Sequence, residues 1–496
     1  MPDIDSDATD RLRGAARLTA AVEVTPGGPV EGTIRPPGSK SLTNRALICA
    51  AFANGRSELT GALQSEDTKV MIDALGSIGV KIDISDGGKT LLVDGRGVGP
   101  QAKNRPDESS QMQELYVANS GTTVRFLAAA LSAAGGQYRL VGVERMHQRP
   151  IGDLVDALQL VVDGSIEAIS SRGCPPVEIR CHGWKGKNIE VGGAVSSQYL
   201  SGLMMAAPLV VQSGESADVG RESASAKPQS TQILVSGELV SRPYVDMTAN
   251  VMRSFGATLD LQDDGLPSGS ALAVDVKAGG YLPACYEIEP DASAASYFWA
   301  AAAITGGKVT VEGLSRAAMQ GDVGFCEVLE KMGCEVQYDE HSICVNGRPL
   351  KGVDVDMNEI SDTVQTLAVV ALFASSPTRV RGVAHNRFKE TDRIGDLARE
   401  LRKLNATVEE HDDGLTIYPI LENLLAKANR KVVLETYHDH RMAMSLSLAG
   451  LRIPGVQIMN PACTGKTYPG FFSDLETIIG RAHHWVAQQG QSAEFQ

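Results

Sequence analysis

The sequence predicts an α/β protein of two similar halves, each built from α–β–β units. Three observations carry this. The chain has 496 residues, more than the roughly 250–300 at which a single hydrophobic core stops growing. One pattern recurs along it: an amphipathic helix ending at Gly or a small residue, a short strand, a turn, then a second strand. The composition, 43 % hydrophobic, 21 % charged and 5 % aromatic, is that of a globular protein and excludes a disordered, collagenous or coiled-coil chain.

The copies justify the elements in order. VMIDALGSIGVKIDISDGGKTLLVDG (70–95) places Met71, Leu75 and Ile78 at helical spacing, then Leu91 and Val93 at strand spacing. A weaker copy occupies 154–180, and a third 250–276. The fourth is 327–347. The fifth is 398–419, with Leu397, Leu401 and Leu404 on the helix and Leu415 and Ile417 on the strand. The Asp-Gly pairs read as hairpin turns. Each unit has only one helix face to bury, so units must pack on one another. Three copies precede about residue 285 and two follow. A last unit is expected to be completed by the C-terminal segment with the N-terminal strands. Two similar halves imply a cleft, a common place for ligands.

The charge balance, 46 basic against 60 acidic residues for a net −14, argues against a nucleic-acid coat or an anionic-membrane binder. No apolar run approaches the ~20 residues of a membrane span. Eight cysteines without a CxxC pair read as free thiols of a reducing compartment, with no metal site. Asp3, Asp5, Asp7 and Asp10 with no apolar stretch do not form a secretory signal or transit peptide, so the expected location is the cytoplasm.

The chemistry-bearing segments are short. GSKSLTNRALICAA (38–51) puts Lys40, Ser41 and Arg45 at a loop-to-helix junction. Ser41 is expected to cap the helix, whose free N–H groups suit an anion. The spacing is not that of a phosphate-binding Walker loop. NSGTTVRFLAAAL (119–131) brings Asn119, Ser120 and Gly121 before an apolar helix containing Arg125; small residues allow a ligand to approach the backbone. Arg149 precedes Pro150 and is held extended. Ser196, Ser197 and Gln198 open a helix in 195–208, and Asp362 stands at a helix start in 359–374. HNRFKETDRIGDL (385–397) packs Lys389, Glu390 and Arg393 together, where a solvated charged face is the plainer alternative. In YHDHRMAMSLSLAG (437–450) the His438/His440 spacing invites a metal, but Arg441 beside them favours an anion. Lys466 sits in a Gly/Thr/Pro loop, 463–472. A net-acidic chain that gathers cations at such loops is built to hold more than one anionic group. Arg suits bidentate recognition and Lys a point charge. Asp362 and Glu390, set among them, are candidates for proton transfer.

In this order, GSKSLTNRAL, NSGTTVR, RPIGDL, SSQYLSGLMMAAP, SRPYVDMT, PDASAASYF, KETDRI, DHRMAM and the Lys466 loop resemble the EPSP synthase (3-phosphoshikimate 1-carboxyvinyltransferase) family of enolpyruvyl transferases, over about residues 22–480. The resemblance implies two similar α/β domains, each of three βαβαββ units in an inside-out barrel, closing over a cleft that holds the active site. Residues 1–37 with 288–496 would form domain 1, and 38–287 domain 2. The implied reaction transfers the enolpyruvyl group of phosphoenolpyruvate to the 5-hydroxyl of shikimate 3-phosphate. It gives 5-enolpyruvylshikimate 3-phosphate and phosphate, on the route to chorismate and the aromatic amino acids. No cofactor, metal, nucleic acid or membrane is implied, and the expected state is a monomer.

Carried over residue by residue, Lys40 would stand beside both substrates and join Asp362 and Glu390 as catalytic residues. Asp362 would take the hydroxyl proton and Glu390 handle the methylene proton. Ser41, Arg45, Ser196, Ser197, Gln198, Ser241, Tyr244, His385 and Lys389 would hold shikimate 3-phosphate together with Lys40 and Asp362. Asn119, Gly121, Arg149, Gln198, Arg393, His440, Arg441 and Lys466 would hold phosphoenolpyruvate with Lys40. His385 stands where many relatives have Asn, Ser120 where Ala is common, and Phe126 where Pro is common. Two alternatives differ in chemistry. The UDP-N-acetylglucosamine enolpyruvyl transferases have Lys-Asn in place of Lys40-Ser41 and a loop cysteine that 142–152 lacks. A non-catalytic phosphometabolite-binding protein would lack Lys40, Asp362 or Glu390, and all three are present.

Overall fold

The computed structural model describes residues 19–97, 111–170, 172–193, 196–210, 230–420 and 431–487. The acidic N-terminal residues 1–18 and Val195, at the head of the 195–208 motif, lie outside the described residues. The chain divides into two compact units, Met1–Pro37 with Pro290–Gln496 (the first) and Gly38–Glu289 (the second).

Among the described residues, the α-helices of the second unit are α1 (Lys40–Ala51), α2 (Glu66–Ser77), α3 (Gly121–Ala134), α4 (Gly152–Gln159), α5 (Ser197–Ala206) and α6 (Arg242–Ser254). In the first they are α7 (Ala292–Thr305), α8 (Phe325–Met332), α9 (Val364–Ala371), α10 (Gly395–Lys403), α11 (His440–Ala449) and α12 (Phe471–Ile479). The described strands form six four-stranded sheets, three in each unit.

One sheet shows the plan of all six. Gln113–Tyr116 runs parallel to Gly136–Val141, which pairs antiparallel with Val177–Trp184, which pairs antiparallel with Val162–Ala168. Parallel neighbours need a crossover and antiparallel ones need only a turn. Helix α3 makes the crossover, α4 follows, and the last two strands form a hairpin. That is a βαβαββ unit. All five repeats read from the sequence fold as helix, strand, strand at their expected places. The sixth is completed across the chain ends: Val432–Leu434 and Val456–Met459 are parallel, and Thr19–Glu23 fills the gap between Val456–Met459 and His484–Ala487. The strands beside the two chain crossings each stay with the unit they leave. Glu31–Ile34 pairs with Lys308–Glu312, and Cys285–Glu287 with Arg56–Thr60.

Local chemistry explains the elements. α10 buries Leu397, Ala398 and Leu401 and turns its basic residues outward, the stripe expected of a surface helix. α7 is buried from Ala292 to Ile304, as a helix apolar all round must be. Two expectations need correction. Ser39, not Ser41, caps α1: its Oγ accepts the Leu42 N–H at 3.4 Å, and it has the extended backbone an N-cap needs. Gly38 fixes this entry, because a Cβ there would lie 1.9 Å from the Gly61 carbonyl oxygen. The Asp163-Gly164 pair is not a hairpin turn but lies inside Val162–Ala168 at a register shift; Gly164 at φ 137 supplies the bulge. Among the described residues no helix is long and apolar enough to cross a membrane.

Candidate active site

In the first unit, four turns deliver charge to one place. The 3-10 turn Asn358–Thr363 runs into α9 and carries Asp362. The loop before α10 carries Glu390 and Arg393, the N-terminus of α11 carries Asp439, His440 and Arg441, and the turn Pro461–Lys466 ends in Lys466. Arg393 is the hub. Its Nε and Nη2 donate to Asp439 at 2.7 and 3.2 Å, Nη1 to Asp362 at 3.2 Å, and Nη2 to Glu390 at 2.8 Å. Arg441 Nη2 donates to Asp362 at 2.7 Å, and Lys466 Nζ to Glu390 at 2.7 Å. Each of the two candidate proton-transfer carboxylates is thus held between two cations.

Asp439 explains how α11 and this network are tied. Tyr437 and His438 have φ of 53° and 56°, turning the chain so that Asp439 becomes the N-cap and accepts the Arg441 N–H at 2.8 Å. Asp439 and Arg393 are both fully buried. Removing one member of such a pair leaves an uncompensated charge, at a cost of about 3–5 kcal/mol. Burial pulls the Arg393 guanidinium down, but Asp439, Glu390 and Asp362 outweigh it and hold it above its usual range. His385, also buried, is pushed down to about 3 by desolvation and by Lys389, against the pull of Asp362. It stays neutral at physiological pH and offers one donor and one acceptor.

The second unit holds the other group of candidates. Lys40, the first residue of α1, lies 3.6 Å from Asp67 of α2. Arg45, one turn on, is fully buried. It donates to Thr248 at 2.7 Å, the Ser41 carbonyl at 3.0 Å and Ser201 at 3.2 Å, and lies over the Phe126 and Tyr244 rings. Desolvation lowers it to about 10, so it remains charged.

Arg149 donates to the Asn119 carbonyl at 2.9 Å and its side-chain oxygen at 3.3 Å. Arg125 donates to Gln198 Oε1 at 2.6 Å and the Pro150 carbonyl at 3.0 Å. Gly121 lies against both guanidinium groups: a Cβ would fall 2.5 Å from Arg149 Nη2 and 3.0 Å from Arg125 Nη1. Ser196 caps α5 and accepts the Gln198 N–H, with Ser197 buried next to it. Ser241, buried ahead of α6, has φ 56° and ψ 48°, a left-handed conformation that costs a non-glycine residue of order 1 kcal/mol or more and often marks a site.

The sequence candidates therefore fall into two groups. Asp362, His385, Lys389, Glu390, Arg393, His440, Arg441 and Lys466 belong to the first unit. Lys40, Ser41, Arg45, Asn119, Gly121, Arg149, Ser196, Ser197, Gln198, Ser241 and Tyr244 belong to the second. Sequence reasoning left out Asp439 and Asp67, the acids that partner Arg393 and Lys40, and kept Arg125 out of the binding set. Asp439 had a signal, an Asp at a helix start beside Arg441. Asp67 had none, since its partner is 27 positions away.

Comparison with known proteins bears on the reaction. Residues 24–475 match the family model EPSP synthase (3-phosphoshikimate 1-carboxyvinyltransferase). The chain is 41 % identical over 455 residues to the 3-phosphoshikimate 1-carboxyvinyltransferase of Colwellia psychrerythraea, covering 92 % of this chain and 98 % of that one. It is 42 % identical over 450 residues to that of Klebsiella pneumoniae subsp. pneumoniae, covering 90 % and 96 %. Among solved structures, EPSP synthase from Acinetobacter baumannii superposes with TM-score 0.72 at 25 % identity, covering 94 % of this chain and 99 % of that one. The enolpyruvyl transferase NikO from Streptomyces tendae, at 17 % identity, TM-score 0.68 and coverage of 95 % and 99 %, shares the fold. A family match through both units and relatives at this identity establish that the chain belongs to the EPSP synthase family.

Proposed function

We propose that this chain transfers the enolpyruvyl group of phosphoenolpyruvate to the 5-hydroxyl of shikimate 3-phosphate and releases phosphate. Family membership supplies the substrates. The observation that carries the chemistry is the pair of carboxylates, Asp362 and Glu390, joined through buried Arg393 and flanked by Arg441 and Lys466.

The reaction needs a base for a hydroxyl, an acid for a methylene carbon, and cations for charge that builds in the transition state. Asp362 takes the 5-hydroxyl proton as its oxygen adds to C2. Glu390 delivers a proton to C3, which makes C2 electrophilic, and recovers it when C–O cleavage expels phosphate from the tetrahedral intermediate. Arg393, Arg441, Lys466, Arg149, Asn119, Gly121 and His440 hold phosphoenolpyruvate. Ser41, Arg45, Ser196, Ser197, Ser241, Tyr244, His385 and Lys389 hold shikimate 3-phosphate, and Lys40 and Gln198 serve both. The two groups of residues supply one reaction, so neither unit is expected to turn over alone. The reading carries with it a cytoplasmic monomer that binds neither nucleic acid nor membrane.

Two variants test the assignment. Asp362→Asn and Glu390→Gln are expected to fold and to lose about 10²–10⁴-fold in phosphate release. Retention of more than about a tenth of the wild-type rate in either would contradict its proton-transfer role.

A further inference from the structure

A third carboxyl sits behind Asp362. Asp322 lies in the 3-10 turn Gly321–Gly324, which packs against the turn carrying Asp362 and against the start of α7. It is buried. Ser293 of α7 donates to its Oδ2, and its Oδ1 has no hydrogen-bond partner among the described residues. A buried ionised carboxylate is rarely left half-satisfied; a neutral carboxyl fits such a place better.

The charged groups that act on it are Asp362 from the turn before α9, Arg441 from α11 and Asp291 from the cap of α7. Glu327, on the adjoining α8, is exposed and tied to Arg316 at 3.5 Å. Burial first, then Asp362, push Asp322 up to about 7, against the pull of Arg441 and the Ser293 hydroxyl.

We propose that Asp322 is a positioning residue that acts through Asp362 and Arg441. Protonated, it leaves Asp362 as the carboxylate that Arg441 serves; ionised, it competes for that guanidinium and adds negative charge where anionic substrate is to be held. The proposal rests on the reaction assigned above and adds a group that touches neither substrate.

The test is the pH dependence of the phosphoenolpyruvate KM from pH 6 to 9. In the wild type KM is expected to rise about fivefold as Asp322 ionises. In Asp322→Asn, which keeps the shape and cannot ionise, that rise should vanish while kcat at pH 6.5 stays within about twofold. Ser293→Ala removes a hydrogen bond to the ionised form, so the rise should move to higher pH. An Asp322→Asn profile that superimposes on the wild type overturns the proposal. If that variant does not fold, an unmoved profile in Ser293→Ala does so. Calorimetric titration with inorganic phosphate over the same range reads the effect without turnover. Should the wild type show no reaction, the functional reading fails, and phosphate affinity that weakens with pH equally in wild type and Asp322→Asn rejects the Asp322 role separately.

Discussion

Asp362, between Ser361 and Thr363 at a helix start, and Glu390, between Lys389 and Arg393, are the candidates that the sequence marks locally. Which acid pairs with which cation was not legible there. Arg393 and Asp439 are 46 positions apart, and Lys40 and Asp67 are 27 apart; such pairs leave no local pattern. Asp322 gave no sign for the same reason, since its surroundings come from α7, α11 and a distant turn. His385 makes a residue-scale prediction. It is pushed down to about 3 from an ordinary 6.5, so the unfolded chain takes up a proton that the native site refuses. Its contribution is present above pH 6.5 and is lost as pH falls toward 3. His385→Asn has no such titration. Between pH 7 and pH 4.5 the wild type is therefore expected to lose about 2–3 kcal/mol more stability than the variant in urea unfolding. Equal losses would show that His385 is not held neutral.

Elements were legible through periodicity. The repeats carry 3.6-residue apolar spacing followed by alternation, and each became a helix and a hairpin. Where a single backbone torsion decided the outcome, the pattern was silent. Ser39 and Ser41 are both good caps by type, and only the close approach of Gly38 to Gly61 selects the first. Asp163-Gly164 looks like a turn, yet its Gly serves a bulge. The α1 cap matters to function because Lys40 is the next residue. Ser39→Ala is expected to cost about 0.5–2 kcal/mol. That loss should exceed the one from Ser41→Ala, and Ser39→Ala should also raise KM for both substrates. Urea unfolding and steady-state kinetics check both parts; a variant as stable as the wild type would reject Ser39 as the cap.

At the scale of the molecule, the chain closes on itself within its first unit. Thr19–Glu23 is an inner strand of a sheet whose other members lie after residue 431. The sequence anticipated this sharing, with a last unit expected to be completed by the C-terminal segment with the N-terminal strands. It did not show that Glu31–Ile34 and Cys285–Glu287 stay with the units they leave, since the short strands carry no mark of their partners. This arrangement spreads the candidate residues of each unit over segments far apart in sequence, with the carboxylates Asp362 and Glu390 in one and most of the small-residue loops in the other.

The central claim is that residues from both units serve a single transfer between two anionic metabolites. The most direct measurement is release of inorganic phosphate by the purified chain with phosphoenolpyruvate and shikimate 3-phosphate, each alone and both together. The account predicts phosphate only when both are present, with loss of the signal in Lys40→Met of one unit as in Glu390→Gln of the other. Phosphate released from phosphoenolpyruvate alone, or none with both substrates present, would contradict it.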